Sequence, residues 1–377
     1  MKKPKSYAVF RHELFKQSEP FIREQADSVP GWTPFYTGRT RSAHPDVNSF
    51  ALWDDTRMGA FSKGCQSILR SSKGYIEPLR DASVELIHAH FGVEGVYAEG
   101  LAKEMDVPLV TTFHGYDVTL KPSELLRSMK PAWINYVLFK SGLKRRGNLF
   151  VCVSRHIERM VLESGFPEGR VVTHYMGVDV DAFAYKPVAE RSGNYILHVG
   201  RLVEKKGCID LINAFRLIHR GHPDIRLVIV GAGPMERRIR DLVDSSGLSS
   251  HVDFLGGVPR EQARKLMENA LMLCQPSRTA ANGDTEGLPI VLMEAAATGT
   301  PIVSTFHAGI PELIKQEVNG LLVEEGNVGA IAEAMRHYII SPAFASRVSA
   351  QAREIVEDSF NVKVQSAVLG RLYEGLL

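Results

Sequence analysis

Short apolar runs rich in β-branched residues recur along the chain, each bounded by turn residues and followed by a longer amphipathic segment. In the first half they are SYAVF (6–10), VELIHAH (84–90), PLVTTFH (108–114), LFVCVS (149–154) and VVTHYM (171–176). In the second half they are YILHVG (195–200), IRLVIVG (225–231), VDFLGG (252–257), LMLCQPS (271–277), PIVST (301–305) and GLLVEE (320–325). Near-continuous apolar strands separated by helices predict parallel sheets covered on both faces. The helical period is plainest over 208–220, where Ile209, Leu211, Ile212, Phe215, Leu217 and Ile218 share one broad face. Residues 184–194 (AYKPVAERSGN) break the pattern with Pro, Ser, Gly and charge, and a new strand opens at Tyr195. About five strands lie before the break and about six after it, enough for two doubly wound α/β sheets. Two such domains facing one another place their strands' carboxyl ends across a cleft, where ligands are expected.

Composition narrows the field. Hydrophobic residues make up 44% of the chain and charged residues 23%, which excludes a disordered protein. Lys+Arg number 45 against Asp+Glu 43, a net charge of +2 that excludes a strongly basic nucleic-acid binder. Cys65, Cys152, Cys208 and Cys274 are scattered without paired spacing, which argues against a zinc site or disulfide framework and for a reducing compartment. The first lysines are followed by a charged stretch where a signal peptide needs an apolar block. Gly287–Phe306, the longest weakly charged stretch, is interrupted by Gly, Pro and Glu294, so no membrane span is expected. A soluble or peripheral protein follows.

The densest chemistry lies in GDTEGLPIVLMEA (283–295). Pro289 suits the first turn of a helix running to about Thr298 and stopped by Gly299. Free N–H groups near Gly287 and Leu288 would seat a phosphate at its N-terminus. Glu294 then lies a little over one turn inside, on a face that can reach a ribose, and Glu286 faces the cleft from the preceding loop. The same spacing also fits a capping Glu286 and a surface Glu294.

HVGRLVEKKG (198–207) places Gly200, Arg201 and Lys206 between a strand and a helix. Two cations in such a loop can neutralise a diphosphate, Arg by its fork and Lys as a point charge. A solvated basic loop fits as well, and Lys205 is read that way. VGAGP (230–234) lacks the full dinucleotide glycine pattern, and Pro234 is expected to start a helix. In the first half, TFHGYD (112–117) sets His114 and Asp117 at the cleft edge, and HAHFG (88–92) adds His88 and His90. Alternate histidines can suggest a metal, but no third ligand stands at a convincing spacing, so no metal site is assigned. His88 is read as packed, and His114 as the better polar contact to substrate.

HVGRLVEKKG, FLGGVPREQ, PS followed by EGLPIVLMEAAATGTPIVST, and GIPELI with NGLLV occur in one order. Together they resemble the donor domain of retaining nucleotide-sugar glycosyltransferases of family 4, with the GT-B fold. HAHFG, TFHGYD, VSRHI and HYMGVDVDAF extend the likeness into the first half. The subgroup most resembled makes colanic acid, amylovoran and other exopolysaccharides or lipopolysaccharides. The resemblance implies two Rossmann-like domains, an acceptor-binding one over 1–185 and a donor-binding one over 195–357, with a C-terminal helix of about 358–377 returning to the first. It also implies that Arg201 and Lys206 bind the donor diphosphate, Glu294 the ribose and Glu286 the transferred sugar. Backbone near Gly287 and Leu288 would approach phosphate and sugar, Gly257 and Val258 the nucleobase, and His114 the sugar. QSEPFI (17–22) stands where many relatives carry a glycine-rich loop, and Met176 replaces the commoner Asn before Gly177.

The implied activity is hexose transfer, with retained anomeric configuration, from a nucleoside-diphosphate sugar to a glycan or polyprenyl-diphosphate-linked sugar. It needs no cofactor or metal, since Arg201, Lys206 and the helix N-terminus stabilise the leaving group. Rival readings are a GT-B sugar-nucleotide epimerase, a non-catalytic glycan-binding protein and, from VGAGP alone, an oxidoreductase. Residues 121–160 carry nine basic side chains against Glu124 and Glu158, a local charge of +7. Apolar residues are interleaved, so the region reads either as a core helix with a basic face or as peripheral attachment to an anionic inner leaflet. The expected location is accordingly cytoplasmic, with or without contact to the membrane's inner face.

Overall fold

The computed structural model describes residues 4–43, 45–54 and 60–377, apart from the side chains of Ala60, Phe61, Ser62, Cys65 and Gln66. The chain divides into two compact units, Met1–Gly177 with Val362–Leu377, and Val178–Asn361. The boundary therefore falls at Gly177/Val178, ahead of the 184–194 break. Residues 178–194 belong to the second unit because their contacts do: Lys186 donates to Asn269 at 2.7 Å and Arg191 to the Thr298 carbonyl at 2.6 Å.

In chain order, the described strands of the first unit are β1 (Lys5–Phe10), β2 (Glu13–Leu14), β3 (Trp32–Gly38), β4 (Thr40–Arg41), β5 (Ser49–Ala51), β6 (Val84–His90), β7 (Leu109–Phe113), β8 (Leu149–Cys152) and β9 (Val171–Thr173). Seven of them form a parallel sheet in the order β5-β3-β1-β6-β7-β8-β9, with β2 and β4 paired apart. The apolar runs appear as strands, and β3 is an addition. Its Pro34 interrupts the pattern that signals a strand, and it is tolerated because β5 pairs only with Tyr36–Gly38, leaving Pro34 a neighbour on the β1 side alone. The C-terminal helix Val362–Glu374 packs on this unit. Its fully buried Tyr373 meets Tyr7 and Trp32 at ring separations of 5.1 and 5.2 Å. Such aromatic contacts add about 0.5–1.5 kcal/mol each beyond area burial.

The second unit holds β10 (Tyr195–Val199), β11 (Arg226–Val230), β12 (Val252–Gly256), β13 (Met272–Cys274), β14 (Ile302–Thr305) and β15 (Leu321–Val323). They are parallel, in the order β12-β11-β10-β13-β14-β15. Strand order reverses between β10 and β13, and in the first unit between β1 and β6. Those are the switch points at which such sheets bind ligands, beyond the strands' carboxyl ends. The helix Cys208–His219 covers the second sheet through Leu211, Ile212, Phe215 and Ile218. Leu217, expected on the same face, is exposed, because the buried stripe is narrower than the apolar one.

Candidate functional site

Beyond β10 the chain runs through Gly200–Gly207 before entering the helix at Cys208. Three glycines set this loop. A Cβ on Gly207, at φ +68°, would fall 1.8 Å from the Pro276 carbonyl oxygen, so only glycine lets the loop after β10 meet the loop after β13. Cβ atoms on Gly231 and Gly233 would fall 1.9 and 2.4 Å from the carbonyl oxygens of Gly200 and Leu202. VGAGP is therefore a packing motif: Leu202 N–H donates to Ala232 O and Met235 N–H to Leu202 O, both at 3.0 Å. The helix expected at Pro234 begins at Glu236, with Met235 as its N-cap residue. Below the loop, the Cys208 thiol lies 3.1 Å from His198 Nε2, whose ring is held by the Cys274 carbonyl at 3.1 Å. The three described cysteines, Cys152, Cys208 and Cys274, are free and buried.

The loop after β13 carries Glu286 across to Lys206. The carboxylate is 6% exposed, and its Oε1 lies 2.7 Å from Lys206 Nζ. Burial pushes the Glu286 carboxyl up, but Lys206 and Lys205 outweigh it and hold the group below the usual carboxylate range. Lys205 is not solvated as its sequence context suggests. Its ammonium donates to Asp284 Oδ1 at 3.0 Å and to the Thr285 carbonyl at 2.9 Å, tying down the segment just before Glu286. Arg201 is exposed and has no ion-pair partner among the described residues, so its fork is open to a ligand.

Ile290–Ala297 forms the following helix, and Gly299, at φ +69°, terminates it beyond Thr298. Gly287 and Leu288 are buried just ahead of Pro289, the N-cap residue. Glu294 is neither cap nor free surface. Arg260 Nη2 donates to its Oε1 at 3.1 Å, while burial raises the carboxyl against that pairing. Arg260 opens the helix Arg260–Asn269, whose N-cap Pro259 follows Gly257 and Val258. Gly257 is exposed with open space where a Cβ would stand, so backbone is accessible there.

In the first unit, His90 Nδ1 lies 3.1 Å from His114 Nε2, and the His88 and His90 rings stack at 4.4 Å. Burial holds all three imidazoles well below the usual histidine range, so each is neutral. His88 is packed: Tyr373 Oη stands 2.5 Å from its Nδ1 and Thr112 Oγ1 2.6 Å from its Nε2. Asp117 does not face outward. Its carboxylate accepts the N–H groups of Gly92 at 2.8 Å and Gly115 at 3.0 Å, which fixes both strand-end turns. No group of three or more His, Cys, Asp or Glu among the described residues is arranged to hold a metal ion.

Two family descriptions match: Glycosyltransferase Family 4 over residues 33–182 and Glycosyl transferases group 1 over residues 181–355. The putative colanic acid biosynthesis glycosyltransferase WcaL of Escherichia coli (strain K12) is 35% identical over 293 residues, 76% of this chain and 70% of the relative. The chain belongs to the group 1, family 4 glycosyltransferases. The amylovoran biosynthesis glycosyltransferase AmsK of Erwinia amylovora is 31% identical over 297 residues, 78% of this chain and 71% of the relative. Anabaena Alr3699/HepE, solved in complex with UDP and glucose, superposes with a TM-score of 0.77 at 18% identity over 99% of this chain and 100% of that one. The glycosyltransferase thus has the GT-B fold of two Rossmann-like domains, and these relatives do not favour an epimerase or a non-catalytic protein.

Sequence reasoning did not find four residues of this glycosyltransferase that hold the site: Lys205, Arg260, His307 and Glu325. His307 stands two residues beyond β14, and a polar residue at the carboxyl end of a parallel strand is a signal that could have flagged it. Lys205 was hidden beside Lys206, because adjacent lysines carry no indication of which is engaged.

Proposed function

We propose that the glycosyltransferase transfers a hexose, with retained configuration, from a nucleoside-diphosphate sugar to a glycan or polyprenyl-diphosphate-linked sugar in bacterial surface polysaccharide biosynthesis. The observation that carries this reading is the Lys206–Glu286 pair at the β10/β13 switch point, with Arg201 open beside it. Lys206 and Arg201 suit the two phosphates, and the N–H groups near Gly287 and Leu288 add a partial positive charge at the helix N-terminus. Once a phosphate becomes the partner of Lys206, Glu286 is released to the hydroxyls of the transferred sugar. Glu294 is assigned the ribose, backbone at Gly257 and Val258 the base, and His114 a contact to sugar. The bond from the anomeric carbon to the diphosphate oxygen breaks as the acceptor oxygen bonds the same face. The acceptor proton passes to the departing phosphate. Lysine and arginine supply the countercharge, so the step is metal-independent.

A thermal-shift screen with UDP, GDP and ADP tests the donor site. At least one should raise the melting temperature, since a ligand at a hundred times its Kd stabilises the native state by about 2.7 kcal/mol. Indifference to all three would overturn the reading, and an epimer formed from sugar nucleotide alone would replace it with the epimerase.

No helix among the described residues is long and apolar enough to cross a membrane. We place the enzyme on the cytoplasmic side, in peripheral contact with anionic lipid through residues 121–146. Two helices, Pro122–Arg127 and Pro131–Arg146, stand where the basic region lies; they expose Leu126, Leu138 and Phe139, and the turn between them exposes Met129. Lys144 and Arg146 are engaged internally, by the Ser164 carbonyl and by Glu99, so Lys121, Lys130 and Arg145 are the cations to remove. Their triple alanine variant should sediment less with anionic vesicles, by roughly 1 kcal/mol for each charge near the surface. Wild-type binding indifferent to lipid charge or salt would leave no role for the membrane.

A further inference from the structure

Residues 277–289 carry Glu286 yet form neither helix nor strand, so groups from neighbouring elements must hold this stretch of backbone. Arg278 donates to Asp210 at 3.0 Å, and the N–H of Ala281 donates to Glu204 at 3.2 Å. At Glu286 itself the main-chain N–H donates to His307 Nε2 at 3.1 Å. The other ring nitrogen, Nδ1, lies 2.5 Å from Glu325 Oε1, and Glu325 Oε2 accepts the Thr279 N–H at 2.8 Å. His307 is 1% exposed, which removes water as a substitute partner.

These contacts fix the tautomer. A nitrogen that accepts the Glu286 N–H carries no hydrogen, so the ring hydrogen sits on Nδ1 and is donated to Glu325. A hydrogen on Nε2 would set donor against donor and drive the Glu286 main chain away. We propose that His307 and Glu325 are a positioning pair for the donor site: Glu325 fixes the Nδ1–H tautomer of His307, and His307 Nε2 pins Glu286 so that its carboxylate stands opposite Lys206. The inference rests on the reading of Glu286 as the contact to the transferred sugar. Glu325 also holds Thr279, so one carboxylate fixes the segment at its start and, through the imidazole, at Glu286.

The two ring nitrogens can be separated by substitution. Glutamine places its amide oxygen near the position of Nε2 and can accept the Glu286 N–H, whereas asparagine reaches only as far as Nδ1. With a sugar nucleotide that supports diphosphate release, His307→Gln should retain most of kcat. His307→Asn should lose about 10–100-fold, the usual effect of losing an outer partner, with KM little changed. Nitrogen-15 spectra of the whole protein, with the His307 signals assigned by their loss in His307→Gln, should show hydrogen on Nδ1 and none on Nε2. Equal activity in the two variants, or hydrogen on Nε2, overturns the proposal. Glu286→Gln assayed alongside separates the two readings. If it lowers kcat while both His307 variants match wild type, only the positioning role falls. If it has no effect, the sugar-contact reading falls and takes the positioning role with it.

Discussion

Lys206→Ala should lower kcat by about 10²–10³-fold, the scale seen when one group aimed at a developing charge is removed. The loss should be larger than for Arg201→Ala, whose exposed side chain acts in higher dielectric. It should also show in stability. Glu286 is buried, and removing its partner leaves an unpaired carboxylate, which typically costs about 3–5 kcal/mol. The sign of the pH dependence follows. With Lys206 present the folded carboxyl titrates below its ordinary value, so its contribution is in place above the unfolded carboxylate value and is lost as pH falls through the folded one. Removing Lys206 takes away the leading opposition to burial and shifts the folded value upward from that of the wild type, so the variant should lose least stability at acid pH and most near neutrality. Melting curves from pH 4 to 8 read this directly. The Lys206→Ala/Glu286→Gln double variant should recover stability without recovering transfer. Chelator should leave wild-type activity intact, while complete loss restored by added metal would end the metal-independent mechanism. Near-normal turnover in both folded single variants would remove the diphosphate assignment.

The sheet strands were legible because buried parallel strands must be apolar on both faces, and such runs stand out wherever Gly, Pro and charge bound them. Where Pro34 and short pairings break that pattern, as in β3 and β5, the run dissolves. Arg201, Lys206 and Glu286 were legible as types in the loops at strand and helix ends, and Glu294 as a carboxylate inside the following helix. Their partners were not. The pairing of Lys206 with Glu286 spans 80 positions and that of Arg260 with Glu294 spans 34, and spacing along a chain does not encode contacts across a sheet. Asp117 failed for a related reason. A carboxylate beside a glycine turn at a strand end reads as lying at the cleft edge, and only the fold reveals the two N–H groups that already occupy it. The glycines of VGAGP, set aside for lacking the full dinucleotide pattern, have a use that spacing alone does not show: Gly231 and Gly233 serve close backbone approach to Gly200 and Leu202.

Glu286→Gln and Glu294→Ala should separate chemistry from binding. Under the proposed role Glu286 acts on the sugar through its charge, and the amide variant, equal in size, removes that charge while retaining hydrogen-bond capacity. Its effect should fall on kcat, by about 10²-fold or more, because an interaction stronger in the charged transition state than in the ground state is lost. The amide also no longer draws Lys206, so affinity for nucleoside diphosphate should hold or tighten. Glu294 lies farther along its helix against Arg260, and Glu294→Ala removes hydroxyl acceptors used equally in both states. Its effect should fall on KM, about tenfold for about 1.4 kcal/mol of lost binding. Steady-state kinetics with calorimetric titration of the diphosphate distinguish the two patterns. Small, equal changes in both parameters for both variants would return the carboxylates to structural roles. A glycosyl adduct trapped on Glu286 would make it a nucleophile and replace one-face transfer with a two-step route.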